Sequence, residues 1–142
     1  MQDDKHIQPP SNALALYFNE SVINWYFPQW AQKHLPGYEV IITSKTRLPD
    51  KNTAVGGAAN SAHLHGLAVD FILRKDGKPV VGEDFRRVFD TVVAPTWPGF
   101  ALYESDHIHV NLSRQVTLWA GVFAASIMGL LGLALYHGVK KL

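Results

Sequence analysis

Cysteine is missing from all 142 residues. That removes disulfides and thiolate metal sites, so any transition metal must be held by histidine and carboxylate. Charge is sparse: 18% of residues are charged and 47% hydrophobic, for a formal net charge of +1. This balance argues for a folded core and against wholesale disorder. Residues 1–115 carry 11 Lys and Arg against 12 Asp and Glu, and Lys140 and Lys141 supply the remaining positive charge. With no basic face in the domain, no nucleic-acid partner is expected. No internal repeat is visible. The first residues, MQDDKHIQPPSN, lack the basic-then-apolar order of a cleavable signal peptide.

What the chain does have is polar chemistry set inside apolar segments. SAHLHGLAVDF, residues 61–71, holds His63, His65 and Asp70, and DHIHV, residues 106–110, holds His107 and His109. Around them the pattern predicts an α+β domain with a small, mostly antiparallel sheet and helices. ALALYFNESVINWYFPQWAQKHL reads as a helix interrupted near Pro28 and closed by Pro36-Gly37. YEVIIT (38–43) reads as a strand, 44–62 as a polar loop, and LAVDFIL (67–73) as a buried strand. Asp76-Gly77 marks a turn into Val80-Val81. Phe85, Val88, Phe89 and Val92 form a helical stripe. FALYE and HIHVNL form a terminal strand pair about a Ser105-Asp106 turn. The expected organisation is a polar segment 1–12, a domain 13–115, an apolar segment 116–136 and a basic tail 137–142.

The apolar segment, Val116 to Tyr136, has 21 residues and no charged side chain. As a helix it would span about 30 Å, the thickness of a bilayer core. Trp119 and Tyr136 stand near its ends, as interfacial aromatics do. Gly121, Ala125 and Gly129 form a small-xxx-small face suited to helix–helix association. The sequence therefore predicts a single C-terminal transmembrane helix and a membrane location.

In a strand, residues i and i+2 share a face. His107, His109 and Asn111 then point one way, and Ile108, Val110 and Leu112 the other. Ala68 and Asp70 likewise lie opposite Val69 and Phe71. Gly66 permits a sharp entry that brings His63 back over this strand. Two adjacent strands can so gather His63, Asp70 and one of the later histidines. Two imidazoles, one carboxylate and an open position describe a catalytic zinc site. His65 is expected on the rim, and His6, His34 and His137 at the surface.

ITSKTR and NTAVGGAANSAHLHGLAVDF resemble the M15 family of zinc D-Ala-D-Ala peptidases, whose fold is shared with the hedgehog signalling domain. The family pattern S-x-H-x-x-G-x-A-x-D is met by Ser61, His63, Gly66, Ala68 and Asp70. The following H-x-H is met by His107 and His109. SKTR and VGG…NS are similar to the phage-type branch, and the resemblance covers roughly residues 15–113. It implies Zn2+ held by His63, Asp70 and His109, and hydrolysis of peptidoglycan peptides. Asp106, three positions before the last ligand, is the expected base, with His107 orienting or stabilising the tetrahedral intermediate. His107 and Glu104 are the alternative bases. Arg47 matches the substrate-side arginine, a catalytic and substrate-binding role. Ser61 is expected to orient a ligand or the substrate. Ala62 departs from the polar residue common among close relatives.

The expected function is thus a membrane-anchored zinc peptidase, a D-Ala-D-Ala carboxypeptidase or an endopeptidase, acting on stems or cross-links of the bacterial wall. A bacteriophage origin, with the protein in a virion membrane or the host cell envelope, would bring the domain to the wall without secretion. Two competing readings are a non-catalytic zinc module that binds wall or partner, and a membrane component whose work lies in the tail.

Overall fold

A computed structural model describes residues 13–58 and 61–112. Helix α1 (Ala13–His34) leads into strand β1 (Glu39–Ser44), the short helix α2 (Pro49–Ala54) and a 3₁₀ turn, Ala62–His65. Strands β2 (Ala68–Lys75) and β3 (Lys78–Pro79) follow, then α3 (Gly82–Val88), a π-turn over Phe89–Val93, α4 (Ala94–Thr96), and strands β4 (Phe100–Tyr103) and β5 (Ile108–Asn111). The sheet order is β1-β2-β5-β4, with β3 paired to the end of β2, and every pairing is antiparallel. The expected α+β class with an antiparallel sheet is what the domain forms.

Period-2 alternation decides which sheet face is the core. Val69, Phe71 and Leu73 of β2 and Ile108, Val110 and Leu112 around β5 are all buried. They pack against Ile23, Phe27 and Trp30 of α1 and Phe85 and Val88 of α3. Phe27 lies over Phe71 at 5.2 Å between ring centroids, and Trp97 donates from Nε1 to the Asn111 carbonyl at 2.7 Å. Each fully buried side chain of this size contributes about 1.5–3 kcal/mol. Asp70 and His109 project from the opposite face. The connection from β1 to β2 crosses that face.

Several local expectations need correction. Helix α1 runs through Pro28 without a break. Pro28 and Asn24, four residues earlier, are both exposed, so the carbonyl that Pro28 cannot serve faces water while Phe27, Trp30 and Ala31 bury the other side. The 44–62 stretch is not all loop, because Pro49 and Asp50 start α2 with a proline at its first turn. The Asp76-Gly77 turn forms as expected, both residues having positive φ, but the returning strand is Lys78–Pro79 rather than Val80-Val81. The helical stripe continues to Thr96 through the π-turn. Pro95 has no N–H to give the preceding turn, a condition that widens a helix.

The expected transmembrane helix is also corrected. Among the described residues no helix is long and apolar enough to cross a membrane. α1 has the length, at 22 residues, but carries Asn19, Glu20, Asn24 and Lys33. The segment 116–136, with Gly121, Ala125 and Gly129, lies outside the described residues, as do 1–12 and 137–142. The described residues form the α+β domain, and the membrane location inferred from that segment is withdrawn. Length and hydropathy give a segment the capacity to span; its conformation depends on what surrounds it.

Candidate metal centre

The register of the sheet builds two thirds of the site. Asp70 on β2 pairs directly with His109 on β5. Directly opposed residues on one face of an antiparallel pair stand close enough for their side chains to meet. His109 Nδ1 lies 2.8 Å from Asp70 Oδ1.

The third side chain arrives by a turn. Ser61 caps the 3₁₀ turn, its Oγ accepting from the His63 amide at 3.4 Å. Gly66 ends the turn in the left-handed region at φ +66°, and an added Cβ there would meet Leu16 and Glu20 of α1. The chain therefore folds back sharply, and His63 Nε2 comes to 3.0 Å from Asp70 Oδ1 and 3.2 Å from His109 Nδ1. His63, Asp70 and His109 are all buried. Their three ligand atoms fall within one small volume.

The chemistry of these donors fits a cation. His63 Nδ1 lies 2.6 Å from the Lys45 carbonyl. A carbonyl only accepts, so Nδ1 carries the proton and Nε2 of the neutral ring presents a lone pair. That lone pair faces a carboxylate oxygen and another imidazole nitrogen. Three acceptor atoms converging in a buried place need either protons or a metal ion between them. Tetrahedral zinc, with nitrogen and oxygen ligands at about 2.0–2.2 Å, takes such a set. A ligating histidine that gives its other N–H to a carbonyl is the usual support of a metal site.

Burial opposes ionisation of Asp70, yet in the metal-free protein with both rings protonated, hydrogen bonds from His109 and His63 and their charge outweigh it and hold its carboxyl far below the usual carboxylate range. Its second oxygen, Oδ2, accepts from Arg47 Nη2 at 2.7 Å. Arg47 Nε donates to Ser44 Oγ at 2.9 Å, and the Arg47 amide donates to the His63 carbonyl at 3.0 Å.

His107 and Asp106 stand at the edge of the centre. His107 Nε2 is 3.9 Å from Asp70 Oδ1 and 3.8 Å from Glu104 Oε1, and its Nδ1 is 2.8 Å from Asp106 Oδ1. The hydrogen bond from His107 holds the Asp106 carboxyl below its ordinary value. Asp106 is exposed, Glu104 also, and His107 is half-buried. Ser61, Arg47, His63, Asp70, His107 and His109 thus gather in one region.

Two histidines depart from expectation. His65 is not on a rim but buried, at 1% exposure, because the 3₁₀ turn curls it inward; its carbonyl accepts from Asn19 Nδ2 at 2.9 Å. His34 is half-buried and stacks on Trp30 at 5.7 Å. His6 and His137 lie outside the described residues. The Lys45 carbonyl was not foreseen, since a backbone acceptor leaves no mark in a side-chain pattern. Nor was its tether, the bond from Lys45 Nζ to Asn24 Oδ1 of α1 at 2.8 Å.

No curated protein and no solved structure matches the chain. The family described as Peptidase M15 matches residues 22–111. That match spans more than half of the chain and contains Arg47, Ser61 and all three residues of the buried centre. This chain belongs to the Peptidase M15 family and is a metallopeptidase.

Proposed function

We propose that the protein is a zinc-dependent peptidase that hydrolyses peptide stems or cross-links of bacterial peptidoglycan. The observation that carries this reading is the convergence of His63 Nε2, Asp70 Oδ1 and His109 Nδ1 within 3.2 Å of one another, with the His63 proton committed elsewhere. His63, Asp70 and His109 hold the ion. When bound, zinc supplies a Lewis acid for a peptide carbonyl and lowers the pKa of its water to about 7.

The other residues manage position and protons. The Lys45 carbonyl keeps His63 in its ligating tautomer. Peptide hydrolysis must take a proton from water and give one to the leaving amine. The Asp106–His107 pair serves that transfer: His107 Nε2 stands on the side of Asp70, and Asp106 holds Nδ1 at 2.8 Å. His107, in its charged form, is also placed to stabilise negative charge developing at the carbonyl oxygen. Ser61 keeps the His63 turn in shape. The similarity of SKTR and VGG to the phage-type branch supports deployment in entry into, or lysis of, a bacterial cell.

The test is incubation of the protein with purified peptidoglycan, with and without a chelator, and mass spectrometry of the products. Chelator-sensitive release of defined peptide fragments is expected, and the fragments name the bond. A folded protein that retains one equivalent of zinc and releases nothing would be a binding module instead.

A further inference from the structure

The far end of β2 gathers positive charge around a groove. β2 runs on past the core, and Lys75, two residues after the buried Leu73, shares its face. That is the helical side of the sheet, opposite to the face that carries Asp70 and His109. There Lys75 and Lys78 stand directly opposite each other across the hairpin. Arg87 of α3 lines the same groove, whose volume is about 470 Å³, and Val80, Val88 and Val92 supply its apolar lining.

These charges are not balanced as their neighbours are. Arg86 Nε donates to Asp90 Oδ2 at 2.8 Å, and Arg74 has Glu39 as its cross-strand neighbour. Among the described residues neither Lys75 nor Lys78 forms an ion pair. Lys75 Nζ instead lies over the Tyr38 ring, 5.6 Å from its centroid. Like charges directly opposed on an antiparallel pair are destabilising, and both lysines are exposed, so packing does not require them. Arg87 does have a carboxylate: its Nη1 is 3.1 Å from Asp84 Oδ1, with the two side chains 68% and 73% exposed. A pair so exposed is worth little, which lets Arg87 turn to an incoming anion.

An anion among the three cations would replace repulsion with attraction. A phosphate suits the place, because its several acceptor oxygens can take charge-assisted bonds from more than one cation. The valines favour a phosphate carried on a carbon chain over the bare ion. The cations surround one groove, so they hold one group at a time rather than the long track of phosphates that a nucleic acid presents.

We infer that this groove is a binding site for a phosphate ester, and that its occupant is a phosphodiester polymer of the bacterial wall. A domain held from this side keeps its metal face open to peptide. The choice of a wall polymer rests on the peptidoglycan reading of function; the phosphate site itself does not.

The experiment co-sediments the full chain, in the cold, with bacterial walls that carry phosphodiester polymers and with the same walls stripped of them by hydrofluoric acid. Retention on the intact wall is expected, with most of it lost on stripping. Lys75→Gln combined with Lys78→Gln should weaken retention about tenfold, the worth of one charge-assisted bond, and Arg87→Gln should act in the same direction. Lys78→Glu should also weaken it while unfolding at no lower a urea concentration than wild type, since it sets opposite charges across the hairpin. Zinc content and hydrolysis of a short soluble stem peptide should be unchanged in all of these variants. Inorganic phosphate should release the bound protein at an ionic strength where sodium chloride does not. Equal retention by the wild type and the double lysine variant would overturn the inference, as would equal release by phosphate and chloride. Release by phosphate together with retention that survives stripping would assign the groove to the free ion and overturn the polymer. Polymer-dependent retention of a chain that hydrolyses nothing would sustain the groove while removing the peptidase reading.

Discussion

His63 gives its Nδ1 proton to the Lys45 carbonyl at 2.6 Å, and that one bond decides which of its nitrogens meets Asp70. The ring has no other way to present a lone pair to the Asp70–His109 pair. Local backbone outside the motif therefore selects the ligand atom inside it.

Each of the three ligands should be indispensable. His63→Ala, Asp70→Ala and His109→Ala are expected to lose tight zinc binding and all chelator-sensitive hydrolysis. Equilibrium dialysis with zinc and product analysis on peptidoglycan check this. Full activity in any of the three would remove the proposed centre.

Asp106→Asn and His107→Ala should behave differently. Neither residue is among the ligands, so zinc affinity should be kept within a few-fold. Loss of general acid–base catalysis typically costs about 10²–10⁴-fold in rate, and kcat is expected to fall in that range in both. Retained activity in Asp106→Asn alone would assign the proton transfer to His107 without its partner. The Glu104 carboxylate, 3.8 Å from His107 Nε2, offers the control: Glu104→Gln should lower kcat far less.

The metal-free protein should lose stability in acid through Asp70. Its carboxyl is held below the ordinary value in the folded state, while the unfolded chain titrates near about 3.9. Between those two values the unfolded state binds the proton and the folded state does not. Stability therefore rises with pH across that window, is complete above about pH 5, and falls as the solution is acidified through it. Urea unfolding of chelator-treated protein from pH 7 to pH 3 should show this decline, and Asp70→Asn should make it shallower. An identical slope in that variant would contradict the assignment.

Gly66→Ala tests the turn that delivers His63. The position has φ +66°, and an added Cβ would lie 2.7 Å from Glu20 Cγ and 3.2 Å from the Leu16 carbonyl oxygen. The left-handed backbone alone costs a non-glycine residue about 1–2 kcal/mol, and the carbonyl contact adds to it. A loss of about 1–3 kcal/mol in unfolding free energy is expected, together with weaker zinc binding. Unchanged stability would mean that α1 can shift away from the turn without cost.

Much of this arrangement was legible in the chain. The alternation of HIHVNL separates Ile108, Val110 and Leu112 from the histidines, and those three residues are in the core. The alternation of LAVDFIL does the same for Asp70 against Val69 and Phe71. The uninterrupted helix through Pro28 was not legible, because packing of Phe27 and Trp30 against Phe71 outweighs a local preference. The burial of His65 escaped for a related reason: one turn of 3₁₀ helix redirects a side chain that spacing alone leaves at the edge.

By itself, then, the sequence determined the residue types and their faces: an absence of thiols, two His-bearing segments, an aspartate on a strand and a glycine to bend the chain. Period-2 geometry is local, so it can be read from neighbours. Spacing left open which later histidine joins Asp70, and only the family resemblance named His109; the pairing itself is a matter of register, Asp70 opposite His109, a relation between residues 39 apart in the chain. The ligating nitrogen of His63, the hold of Arg47 on Asp70 and the tether of Lys45 to α1 were likewise decided only by the tertiary structure. Each is a contact between segments distant in the chain, made by a backbone carbonyl or a single charged side chain, and such contacts leave no periodicity to read.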